Sequence, residues 1–63
     1  MFSYNLKHLR EGFSMSQAAL ADLLGVSRST VANWECGIRE PNISMLIKLS
    51  KVLNTSVDWL IGA

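Results

Sequence analysis

A row of polar side chains between positions 28 and 33 is where this sequence concentrates its chemistry: Arg28, Ser29, Thr30 and Asn33, with the small Ala32 among them. An arginine fork can pair with the edge of a guanine and an asparagine amide with that of an adenine. An alanine or threonine methyl fits beside a thymine methyl. The same row also suits an ordinary solvated helix face, so its surroundings decide between the two. Catalysis finds little material. The chain has one histidine, one cysteine and five carboxylates, with no motif that assembles them into an acid–base pair, an activated nucleophile or a metal site. His8 reads as a surface histidine, and Cys36 as a thiol without a redox role.

The row needs a support, and the stretch 17–37, QAALADLLGVSRSTVANWECG, supplies one. Leu20, Ala21 and Leu24 share one helical face behind a capping Ser16. Gly25 follows, where a chain leaving a helix often needs a positive φ. Val26 points inward from the turn and Ser27 caps a second helix. In that helix Val31 and Trp34, spaced i and i+3, form the buried side. Ala21 is small enough for the two helices to cross closely. Arg28, Ser29, Ala32 and Asn33 are left facing out.

With these elements in order, the chain resembles the phage-repressor and Cro class of helix-turn-helix proteins, also called the XRE family. The residues that carry the resemblance are Leu6, Leu9 and Arg10; Ser16 and Gln17; Leu20 and Ala21; Gly25, Val26 and Ser27; Val31, Trp34, Glu35 and Gly37; Pro41; Leu46, Leu49 and Leu53; and 56–60 with Gly62. They span nearly the whole chain. The resemblance implies an all-α, five-helix, lambda-repressor-like domain over 1–63, with the helix-turn-helix at helices 2 and 3. It also implies a transcriptional regulator on double-stranded DNA, a repressor that binds a palindromic operator as a dimer.

On that reading helix 28–35 enters the major groove. Arg28 and Asn33 read bases, Ser29 is a shorter reader, and Thr30 or Ala32 touches a thymine methyl or the sugar edge. Gln17, Ser27, Arg39, Asn42 and the Ile43 backbone amide position phosphates. Arg10 pairs with Glu35 and is turned toward the phosphates as well. Met45, Ile47, Val57 and Ile61 form a homodimer surface. Cys36 departs from the amide or basic side chains common at its family position, which removes a side-chain phosphate contact there. A protein-interaction module of the same fold, such as an antitoxin or anti-repressor partner, is the alternative.

The rest of the chain fits this frame. Sixty-three residues make one small domain, and such a domain buries only about 60% of its unfolded surface. A hydrophobic fraction of 49% supports a core. The net charge of +1 is low for a DNA-binding domain; backbone amides at helix N-termini also hold phosphate, without formal charge, so a shallow salt dependence is expected. A single cysteine, no leader and no long apolar run point to a reducing bacterial or phage-host cytoplasm, with no membrane, cofactor, metal or small-molecule ligand.

A first helix is expected over 3–11, with Leu6 and Leu9 inward, Phe2 and Phe13 closing its ends, and Gly12 ending it. After a turn at 36–41, Asn42 caps a helix over 43–53 with Leu46, Leu49 and Leu53 as its inner stripe. Asn54 tolerates the left-handed break that follows. Ser56 caps a last short helix whose Trp59 and Leu60 seal the core, and Trp34 is likewise a core residue.

Overall fold

The capping residues set the helix starts. The structure is a computed structural model describing residues 1–63, with α1 (Phe2–Gly12), α2 (Gln17–Leu24), α3 (Arg28–Glu35), α4 (Ile43–Val52) and α5 (Val57–Ile61). Ser16, Ser27, Asn42 and Ser56 stand in extended backbone just before α2 to α5. Each side-chain oxygen accepts from the amide three residues on, at Ala19 (3.0 Å), Thr30 (3.2 Å), Met45 (2.9 Å) and Trp59 (3.0 Å). Each cap thereby satisfies an amide that has no partner within its helix. The all-α, five-helix arrangement is the fold class expected from the sequence.

α2 and α3 form the bent pair at the centre. Gly25 ends α2 at φ +73°, and the Val26 amide donates back to the Ala21 carbonyl at 3.0 Å. A Cβ at Gly25 meets no atom within 4 Å, so Gly25→Ala costs backbone strain alone, about 1 kcal/mol. The expected result is a melting temperature lower by about 4–8 °C; an unchanged thermal melt contradicts it.

The core is built from Leu6 of α1, Leu20, Ala21 and Leu24 of α2, Val31 and Trp34 of α3, Leu49 of α4, then Leu53, and Leu60 of α5. Phe2, Leu9, Met15, Val26, Met45 and Val52 pack against it from the rim. Two long-range bonds fasten the periphery. Lys48 Nζ donates to the Leu24 carbonyl at 2.9 Å, which ties α4 to the end of α2. Asn5 Nδ2 donates to the Trp59 carbonyl at 3.0 Å, which ties α1 to α5.

Several expectations need correction. In α4 Leu49 and, just after the helix, Leu53 are buried as expected; Met45, Leu46 and Val52 are all half-buried, and of these Met45 and Val52 pack against the core. Met45, expected to lie beyond the core stripe, is thus half-buried and packs against the core. Trp59 is 43% exposed, because Leu60 fills the inward position of the five-residue α5 and the neighbouring side chain lies about 100° around the helix. Phe13, expected to close the end of α1, is 50% exposed. Gly12 is the last residue of α1, as expected, and the left-handed residue that follows is Ser14, at φ +56°. Asn54 does adopt the left-handed conformation, at φ +52°.

Candidate nucleic-acid interface

α3 is amphipathic over eight residues, and its two sides are set by Val31 and Trp34, which are buried. With that side pinned, Arg28 and Ser29 are exposed at the first turn, while Thr30, Ala32 and Asn33 are half-buried. Ser27 Oγ both accepts from the Thr30 amide and lies 2.9 Å from Thr30 Oγ1. The Thr30 hydroxyl is thus engaged by the cap.

The first residue of α3 is linked back through the protein by side chains alone. Arg28 Nη1 donates to Gln17 Oε1 at 3.1 Å, and Gln17 Nε2 donates to Glu35 Oε1 at 3.1 Å. Glu35 in turn takes two bonds from Arg10, from Nε to Oε2 at 2.6 Å and from Nη2 to Oε1 at 2.9 Å. Arg10 Nη1 donates to the Met15 carbonyl at 2.7 Å. The two side chains of the ion pair are 9% and 3% exposed. Burial pushes the Glu35 carboxyl up, but the hydrogen bonds from Arg10 and Gln17 and the nearby Arg10 charge outweigh it and hold the carboxyl below its ordinary value. The Arg10 guanidinium is raised above its ordinary value, first by its hydrogen bond to Glu35.

The expected phosphate contact of Arg10 is therefore corrected. All three of its guanidinium nitrogens are committed inside the protein and the residue is 7% exposed, so it braces α1 against α3 instead. Gln17, expected only as a phosphate contact, sits between Arg28 and Glu35 and retains one amide N–H not used in the network. That link was not read from the sequence. Gln17 lies 11 residues from Arg28 and 18 from Glu35, and no local spacing signals either contact.

The remaining named residues occupy the periphery. Arg39 is exposed in the turn between α3 and α4, and Asn42 is exposed with its Oδ1 committed to capping α4. Ile43 is 75% exposed at the first position of α4, where the backbone amide has no partner within the helix. Ile47 and Ile61 are each 45% exposed, and Val57 is half-buried. No helix is long and apolar enough to cross a membrane.

Comparison with known proteins gives this geometry a context. Residues 6–60 match the family model described as Helix-turn-helix. An uncharacterised HTH-type transcriptional regulator of Bacillus subtilis, YqaE, is 41% identical over 61 residues, which are 97% of this chain and 53% of that one. Repressor protein C2 of Salmonella phage P22 is 40% identical over 52 residues, covering 82% of this chain and 24% of the repressor. The crystal structure of the P22 c2 repressor with a synthetic operator superposes with a TM-score of 0.91 at 35% identity, over 95% of this chain and 91% of that one. The same fold recurs, at 43% identity and a TM-score of 0.87, within hydroxypropylphosphonic acid epoxidase of S. wedmorenis. That likeness covers 94% of this chain but only 31% of the epoxidase chain. The chain spans about half the length of the first curated relatives it matches. By this extent of agreement the chain belongs to the XRE-type helix-turn-helix family.

Proposed function

We propose that residues 1–63 form a single sequence-specific DNA-binding domain of a transcriptional regulator, with α3 entering the major groove of double-stranded DNA. The observation that carries this reading is the exposure of Arg28 and Ser29 on a helix whose opposite side is locked by Val31 and Trp34. A major groove admits one such helix, the Arg28 fork suits guanine O6 and N7, and the Asn33 amide suits adenine. Ser29 reads at shorter range, and the Thr30 methyl or Ala32 meets a thymine methyl or the sugar edge. Gln17, Ser27, Arg39, Asn42 and the Ile43 amide hold phosphates on either side. The likeness to a repressor solved with a synthetic operator supports the same reading.

The regulator acts as a repressor in a bacterial or phage-infected cytoplasm. It binds as a homodimer on a palindromic operator, with half-sites about 34 Å apart. Ile47, Val57 and Ile61 form the dimer contact, with Met45 contributing from beneath. Of the six cations, Arg10 is paired internally and Lys48 holds a carbonyl. A shallow dependence of affinity on salt follows.

Selection from random duplexes at fixed salt is the direct test, followed by two variants. Arg28→Ala loses about 1–3 kcal/mol on the selected site and relaxes preference at one base pair, while Arg39→Ala weakens all sequences alike. Equal losses for Arg28→Ala on selected and random DNA count against base reading. Co-purification with a protein partner, without any sequence preference, supports the interaction-module alternative instead.

A further inference from the structure

We infer that Glu35, which is buried, governs the base preference of Arg28 by fixing the orientation of the Gln17 amide. The inference rests on the reading above, in which Arg28 contacts a base. Glu35 Oε1 accepts from Arg10 Nη2 at 2.9 Å and from Gln17 Nε2 at 3.1 Å, and Gln17 Oε1 accepts from Arg28 Nη1 at 3.1 Å.

The polarity of this chain follows from the chemistry of its ends. An ionised carboxylate only accepts and a guanidinium only donates. A glutamine placed between them satisfies both in one orientation alone, amide nitrogen toward Glu35 and amide oxygen toward Arg28. Turned around, it sets NH2 against guanidinium and oxygen against carboxylate. Arg10 keeps Glu35 ionised and immobile, so the orientation is set from the interior.

One end of the Arg28 guanidinium is thereby anchored. A guanidinium has five N–H groups, and the single bond to Gln17 leaves an edge free for the paired contact to a guanine. Holding an otherwise mobile arginine in that pose concentrates its reach on one base pair. Glu35 and Gln17 are in this sense positioning residues: Glu35 acts on specificity without touching DNA.

The test uses the full chain and duplexes that vary at the base pair where Arg28→Ala relaxes preference. Gln17→Met keeps the side-chain length and leaves the ion pair intact but cannot link Glu35 to Arg28. Arg10→Met combined with Glu35→Met removes the anchor while filling its space. Both variants are expected to lower the guanine preference at that base pair roughly tenfold, with other positions little changed. A merely structural role lowers affinity on every duplex alike and leaves the ratio untouched. Retention of the wild-type ratio in either folded variant overturns the inference, and if the double variant does not fold, Gln17→Met decides alone. A wild-type chain without sequence preference, or uniform losses for Arg28→Ala, overturns the base-reading assignment itself, and the inference with it.

Discussion

Arg10→Ala is expected to remove about 3–5 kcal/mol of folding stability, because it leaves the Glu35 carboxylate buried without its counter-charge. The Glu35 side chain is 3% exposed and takes two of its three hydrogen bonds from Arg10. A core of this size rarely supplies more than about 3–5 kcal/mol in total, so the variant should be largely unfolded at room temperature by circular dichroism. Arg10→Met with Glu35→Met removes both charges together, and replacing such a pair by apolar groups of similar volume is often neutral. A folded, cooperative double variant beside an unfolded Arg10→Ala assigns the loss to the stranded carboxylate. An Arg10→Ala chain as stable as the wild type contradicts the account.

The same pair gives stability an acid limb. The Glu35 carboxyl is held below its ordinary value in the folded chain. The folded state therefore binds fewer protons at that site than the unfolded state near pH 4. The contribution is present above the unfolded value, about pH 4.3, and is lost as pH falls through the lower folded one. Urea midpoints of the wild type should decline across that range more steeply than those of the double methionine variant. Parallel profiles contradict this.

Leu20→Ala is the second large effect, with an expected loss of about 2.7–5 kcal/mol. Leu20 is 0% exposed within the core that α2 shares with its neighbours. The substitution removes the transfer free energy of the deleted atoms and leaves a cavity that close-packed neighbours refill only in part. Leu23 provides the internal comparison. It lies in the same helix but is 56% exposed, and Leu23→Ala should stay within about 0.5 kcal/mol. Urea titration followed by circular dichroism measures the contrast: Leu23→Ala keeps a midpoint near that of the wild type, Leu20→Ala has little or no folded baseline, and similar curves contradict the assignment of the inner face.

Which side of α4 faces the core does not follow as simply from the sequence as the helix starts do, because the starts are set locally. Ser16, Ser27, Asn42 and Ser56 cap their helices through bonds that span three residues, so the starts of α2 to α5 are legible in the chain. The left-handed Gly25 and Asn54 and the buried Leu20, Leu24, Val31, Trp34, Leu49 and Leu53 are legible for the same reason: turn chemistry and helical period act over short spans. The outward row at 28–33 follows once Val31 and Trp34 are known to face in.

Tertiary structure decided which groups meet across helices. Whether Met45 or Leu46 faces the core depends on how α4 rolls against its neighbours, a rotation of about 100° per residue that an apolar run such as 45–47 does not specify. Arg10 turns inward, rather than toward solvent, because the packing of α1 on α3 brings Glu35, 25 residues away, to it, beside the Met15 carbonyl of the turn that follows α1. Gln17 joins Arg28 to Glu35 only after α2 and α3 cross. Spacing along a helix sets the side on which a residue lies, and helix crossing sets what it finds there.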